Sequence, residues 1–113
     1  MIRNFKHFDT GEFWEMEDLK QAYNQFDEGK HDTFEAFLTD LMEQGEMRTG
    51  GVVPAYIVIH VGGDKDGEVV FCAEEENDCV AFAHDYNEEH EDEPDFLGVD
   101  IYDPEDVEVL NWV

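Results

Sequence analysis

The sequence has few basic residues. It contains 6 Lys+Arg against 31 Asp+Glu, which gives a formal net charge of −25. Domains that bind nucleic acids carry clustered Lys and Arg to neutralise phosphates, so this composition argues against direct binding of DNA or RNA. Anionic membrane surfaces also repel such a chain, and we expect no membrane partner.

Cysteines and long apolar runs are scarce as well. The two cysteines, Cys72 and Cys79, are too few for a disulfide framework. No apolar run approaches the roughly 18 residues needed to span a bilayer, and the first residues lack the apolar stretch of a signal peptide. We therefore expect a cytoplasmic protein in which both thiols are free.

The apolar content is nevertheless sufficient for a core. Of the 113 residues, 42% are hydrophobic, and they include 9 Phe, 4 Tyr and 2 Trp. A disordered acidic tail lacks this content. The length and composition predict a single domain over residues 1–113.

Two amphipathic helices are predicted in the N-terminal part. One apolar stripe at helical spacing predicts a helix over 13–26: Phe13, Met16, Leu19, Tyr23 and Phe26. A second stripe predicts a helix over 33–44: Phe34, Phe37, Leu38, Leu41 and Met42. Asp32 is the expected N-cap of the second helix, and Gly45 is expected to follow its last turn. Together they predict a helical hairpin over 13–45.

The remainder of the chain alternates extended and helical patterns. Strands are predicted over 54–61, 68–73, 96–102 and 107–113, with a helix over 75–90. We therefore predict an α+β fold in which the helical hairpin precedes a ββαββ unit over 54–113. Its sheet would be mainly antiparallel, with the helices on one face.

The acidic residues are concentrated in the C-terminal half. Residues 64–108 hold 19 acids and a single basic residue, Lys65. The densest run places seven acids in eleven positions: Asp85, Glu88, Glu89, Glu91, Asp92, Glu93 and Asp95. In a helix these would give one charge per roughly 2.4 Å of axis, close to the one per about 1.7 Å of duplex DNA.

In size, composition and charge distribution the chain resembles the acidic DNA-mimic inhibitors of phages and plasmids, which are the anti-restriction and anti-CRISPR proteins. The resemblance implies an inhibitor that occupies the nucleic-acid channel of a host defence enzyme, such as a nuclease or CRISPR effector, in the host cytoplasm. The acidic run would replace phosphates opposite the partner's Lys and Arg. We expect Glu74, Glu75, Glu76 and the exposed acids of the second helix to assist it.

Other interpretations of the charge remain open. An acidic run is often only a solvated face, and a high-salt habitat also screens such a charge. In an adaptor module the charge would serve solubility, and exposed aromatic residues would bind the partner. Trp14, which lies off the first apolar stripe, is the first candidate anchor. Repulsion favours a monomer, with a dimer through the helical hairpin as the alternative.

Catalytic and metal-binding motifs are not evident. The spacing of Cys72, Cys79, His84 and His90 lacks the short cysteine pair of zinc sites. The segment 64–67 (Asp-Lys-Asp-Gly) has too few acids for a calcium loop and predicts a hairpin turn. Because acidic residues occur along the whole sequence, no two of them are distinguished as an acid–base pair. We therefore expect no enzyme activity, no cofactor and no metal.

Overall fold

The computed structural model describes residues 2–105 and the backbone of residues 108–112. Residue 106 and two residues of the predicted last strand, 107 and 113, lie outside the described residues. The strands are β1 (Asn4–His7), β2 (Phe13–Glu15), β3 (Val52–Pro54), β4 (Tyr56–Val61), β5 (Val69–Ala73), β6 (Gly98–Tyr102) and β7 (Glu108–Trp112). The helices are α1 (Met16–Phe26), α2 (Phe34–Glu46) and α3 (Glu76–His90). The fold is thus α+β.

The chain begins with a β-hairpin, so the predicted arrangement of an N-terminal helical hairpin followed by ββαββ is wrong. Strand β1 pairs antiparallel with β2, with Phe5 opposite Trp14 and Lys6 opposite Phe13. The apolar stripe misled the prediction because Phe13 lies three residues before Met16, as in a helix. Phe5 is completely buried, and the pairing with its strand holds residues 13–15 extended.

The strands form two sheets, which corrects the prediction of a single sheet. One has the order β2-β1-β3 and the other the order β5-β4-β6-β7. All described neighbours are antiparallel. Strands β3 and β4 are almost consecutive in the chain, so Ala55 connects the sheets, and its N–H donates to the Asn4 carbonyl at 3.0 Å. The Cα atoms extend over 51 × 26 × 23 Å.

Helices α1 and α2 cover the three-stranded sheet. Phe5, Met16, Leu19 and Val52 form the buried centre of this first core. Thr33 rather than Asp32 caps α2, and its hydroxyl accepts a hydrogen bond from the Ala36 N–H at 3.2 Å.

Gly45 lies inside α2 rather than after it, again in contrast to the prediction. A Cβ at Gly45 would lie 2.1 Å from the Val52 carbonyl oxygen and 2.8 Å from Cγ1 of Val53. Only glycine therefore allows α2 to approach β3 this closely.

Helix α3 packs on the four-stranded sheet and makes the second core. Cys79, Ala83 and Tyr86 follow one another at helical spacing and are buried against Val58, Val99 and Ile101. Of the helices in the described part of the chain, none has the length and apolar character to cross a membrane.

Candidate acidic interface

The acidic run occupies the outer face of α3 and the loop that follows it. The inner face of α3 is fixed by the burial of Cys79, Ala83 and Tyr86. A helix turns about 100° per residue, so Glu88 is directed to the opposite side, and Asp85 and Glu89 lie on one flank of the helix. All seven predicted acids, from Asp85 to Asp95, are exposed.

The run has little internal neutralisation. Among the described residues, no Lys or Arg side chain forms an ion pair with any of the seven acids. The only described partner is His90, whose Nδ1 is hydrogen-bonded to Glu93. The remaining acids direct their charge to solvent.

The acids also stand at the unfavourable end of the helix. The C-terminus of a helix carries partial negative charge, which favours cations there and disfavours anions. The only basic residue in the last turn of α3 is His90, whereas Glu88, Glu89 and Glu91 lie within about one turn of the end. This placement opposes folding, so the stability of α3 does not explain the run.

The linear spacing predicted for the run holds only for its first part. Helix α3 ends at His90, with Glu91 as its C-cap. Two successive turns follow, in which the Glu93 N–H donates to His90 O at 3.0 Å and the Phe96 N–H to Glu93 O at 3.2 Å. The seven acids therefore form a compact patch around the end of α3, not a straight row.

An aromatic and histidine cluster holds the end of α3 against the sheet. His60 on β4 is buried, and its Nδ1 lies 2.7 Å from the Tyr86 hydroxyl. The rings of Tyr86 and His90 are 4.1 Å apart, and those of His60 and Phe96 are 5.1 Å apart. Burial, with smaller contributions from the charges of Glu93, Glu68 and Glu89, raises the pKa of Tyr86. No local motif in the sequence indicates this long-range contact.

The loop after α3 is fixed against the β4–β5 connection. The Leu97 N–H donates to the Val61 carbonyl at 2.9 Å. A Cβ at Gly62 would lie 2.2 Å from the Asp95 carbonyl oxygen, so the two backbones touch there. Asp64 lines a groove together with Lys65, Glu93 and Asp95, so this acid borders the acidic patch next to one basic residue. The sequence identified its turn but not this proximity.

Glu74, Glu75 and Glu76 lie at the other end of α3. The helix has 15 residues, so these acids are separated from its C-terminus by roughly 20 Å. Glu75 and Glu76 are exposed. Glu74 is half-buried, and its carboxylate lies 2.7 Å from Arg48 Nη1 and 4.0 Å from Lys6 Nζ. The charge of Glu74 is therefore partly neutralised within the fold.

Trp14 belongs to the first core, whereas the acidic patch lies on the helix of the second core. It lies on β2 and packs against the first core, and it is half-buried rather than fully exposed. The exposed aromatic residue on the following helix is Phe26, with 72% of its surface accessible. The predicted set of partner-binding residues therefore divides into the acidic patch, the N-terminal end of α3 and the surroundings of Trp14.

Metal and thiol chemistry find little support in the geometry. Within the described residues, no group of three His, Cys, Asp or Glu side chains is arranged to hold a metal ion. Cys72 and Cys79 are both free. Burial, with the charges of Cys72, Asp78 and Glu76, raises the pKa of Cys79 to about 12, and burial also raises the pKa of Cys72. Neither thiol is poised as a nucleophile at neutral pH.

Comparisons with known proteins give no further assignment. No family model matches the chain, and neither the curated proteins nor the solved structures contain a match. Function must therefore be inferred from the site itself.

Proposed function

We infer that this protein is an inhibitor that mimics a nucleic acid and occupies the nucleic-acid-binding surface of a basic protein. The observation that carries the proposal is the exposed patch of seven acids at the C-terminal end of α3, without a Lys or Arg partner among the described residues. The helix dipole opposes this arrangement. An external cationic partner would compensate for it.

The mechanism is electrostatic. A single-sign field on this scale attracts a basic surface over long range and increases the rate of encounter. Carboxylates then pair with the Lys and Arg side chains that otherwise hold phosphates. The fixed loop contributes because it holds Glu93 and Asp95 in place before binding, which reduces the entropy lost on association. Binding of this kind weakens steeply as salt concentration rises.

A pair of matched variants tests the proposal. In the first, Asp85→Asn, Glu88→Gln, Glu89→Gln and Asp92→Asn neutralise part of the patch, and we call it the patch variant. In the second, Asp9→Asn, Glu17→Gln, Glu28→Gln and Asp32→Asn make the same change in net charge elsewhere, and we call it the control variant. All eight positions are exposed, so both variants are expected to fold.

The assay begins with capture of proteins from a bacterial lysate at low salt on immobilised wild-type protein. A captured protein supports mimicry only if duplex DNA or RNA displaces it and if its own nucleic-acid binding is inhibited by the wild-type chain. We expect the patch variant to lose at least about tenfold in inhibition, equivalent to about 1.4 kcal/mol, and the control variant to retain most of it. Equal inhibition by the two variants would show that the patch is not the mimic.

A second candidate function is an adaptor in which apolar residues bind the partner and the charge keeps the protein soluble. The observation that favours it is the exposure of three large apolar side chains, which are Phe26 at 72%, Met47 at 65% and Leu97 at 57%. A captured partner that ignores nucleic acid, resists salt and binds the patch variant normally would support the adaptor.

A further inference from the structure

A groove between β2 and α1 combines aromatic walls with carboxylates. It has a volume of about 350 Å³, and its lining includes Glu12, Phe13, Trp14, Asp18, Ala22 and Phe26. Phe26 is the last residue of α1 and projects into solvent. Trp14 packs against the first core, its ring lies 6.4 Å from that of His7, and it is only half-buried. The groove therefore presents aromatic surface that the fold does not use.

The charge around the groove has a single sign. No Lys or Arg lines it. Lys20, on the same helix, is paired with Glu17 at 3.8 Å. Oδ2 of Asp18 accepts a hydrogen bond from the Glu15 N–H at 2.9 Å. Oδ1 of the same carboxylate is left available for a ligand. Glu12 is exposed, and no side-chain partner is described for it.

We propose that this groove binds an arginine side chain on the surface of a basic protein partner. A guanidinium group stacks on aromatic faces and pairs with carboxylates at the same time, whereas an ammonium group is more strongly hydrated and stacks less well. Trp14 and Phe26 would supply the aromatic faces, and Glu12 and Asp18 the carboxylates. The inference rests on the proposed function only in that the partner is basic, and it assigns a second contact separate from the acidic patch.

Two peptides of identical length serve as probes, one with four arginines spaced by glycine and serine and the other with four lysines at the same positions. The full chain is titrated with each at about 0.15 M salt, which limits long-range attraction. The readout is the NMR signal of the Trp14 indole N–H, distinguished from that of Trp112 by a Trp112→Phe variant. We expect the arginine peptide to bind roughly two- to fivefold more tightly than the lysine peptide, the range that one exposed cation–π contact provides.

Variants then locate the contact. Phe26→Ser should abolish the preference for arginine without loss of folding, because Phe26 is largely exposed. Glu12→Gln should weaken the binding of both peptides. Met47→Ser, which removes another exposed apolar side chain, should leave the affinity for both peptides unchanged. Equal affinities for the two peptides, or a preference that survives Phe26→Ser, would overturn the inference. The patch variant should keep the arginine preference, so failure of this site and failure of the mimic are distinguished.

Discussion

The Nδ1 atom of His31 lies 2.6 Å from Oδ1 of Asp27, and the backbone N–H of His31 donates to Oδ2 of the same carboxylate at 2.8 Å. Asp27 is buried at the C-cap of α1. On the other side of the imidazole ring, Nε2 of His31 lies 3.4 Å from Oδ2 of Asp40 on α2. One imidazole thus joins the end of α1 to α2, and this contact is a separate feature from the acidic patch.

The contact predicts a pH dependence of stability. The hydrogen bond to Asp27, although opposed by burial, raises the pKa of His31 with help from the charges of Asp27 and Asp40. Burial acts to raise the pKa of Asp27, but the hydrogen bonds and charge of His31 outweigh it and lower that pKa. The contribution of His31 to the stability of the fold is complete below its ordinary pKa of 6.5 and is lost as pH rises through the raised pKa. The contribution of Asp27 is complete above 3.8 and is lost as pH falls through the lowered value.

The stabilising contributions of His31 and Asp27 are therefore both complete between the ordinary pKa values of 3.8 and 6.5. We expect the difference in Tm between wild type and His31→Gln to be largest near about pH 5.5 and to shrink as the solution becomes alkaline. Thermal unfolding across pH measures it. In Asp27→Asn, an NMR titration should show the pKa of His31 shifted back down. A Tm difference that does not change with pH would contradict the assigned ion pair.

Gly45 gives a second prediction, because it reverses the usual order of helix propensity. Alanine is favoured over glycine inside a helix by about 1 kcal/mol. At this position, however, its Cβ would meet the Val52 carbonyl oxygen at 2.1 Å. Gly45→Ala should therefore destabilise the fold by about 1–3 kcal/mol, as overpacking does.

The exposed residue Thr39 on the same helix provides the control for this substitution. Thr39→Ala should alter stability by no more than about 0.5 kcal/mol. Urea unfolding of both variants makes the comparison. A Gly45→Ala variant as stable as wild type would mean that α2 and β3 do not pack this closely.

Local patterns in the sequence indicated the position of α3 and the exposure of the acidic run. Cys79, Ala83 and Tyr86 repeat at helical spacing, and the sequence from Asn87 to Asp95 contains no large apolar residue. The same reasoning failed for Phe13, because spacing to Met16 does not reveal that Phe5 will pair with Trp14. Contacts between residues distant in the chain decide such cases, and a single sequence does not encode them as a local pattern.

The details of the candidate site were less accessible for the same reason. His60 and Tyr86 are 26 positions apart, and only the packing of α3 on β4 brings them together. A turn was predicted over 64–67, but the approach of Gly62 to Asp95 depends on the path of a loop more than 30 positions later in the chain. The sequence therefore predicted which residues carry charge but not that the loop is fixed.

The two thiols give a third prediction. Cys79 is completely inaccessible, and its pKa is raised to about 12 by burial with the charges of Cys72, Asp78 and Glu76. Because the thiolate is the reactive form, a Cys72→Ser variant should not react with a chromogenic aromatic disulfide at pH 8 until urea unfolds it. The unfolded variant provides the control for full labelling. Rapid reaction of the native variant would show that Cys79 is not in the core.

The acidic patch predicts that a loss of binding will accompany a gain in stability. Glu88 and Glu89 lie in the last turn of α3, at the negative end of the helix dipole, and they experience repulsion from each other and from Asp85 and Asp92. The patch variant should therefore have a Tm several degrees above wild type at low salt. This gain should become smaller at about 1 M salt, where the screening length is only about 3 Å.

The control variant should gain less, because it removes the charge of Glu17 at the favourable N-terminal end of α1 and with it the pair with Lys20. Calorimetry of the three proteins at two salt concentrations decides the matter. If the patch variant is less stable than wild type, the acids support the fold, and their retention needs no cationic partner.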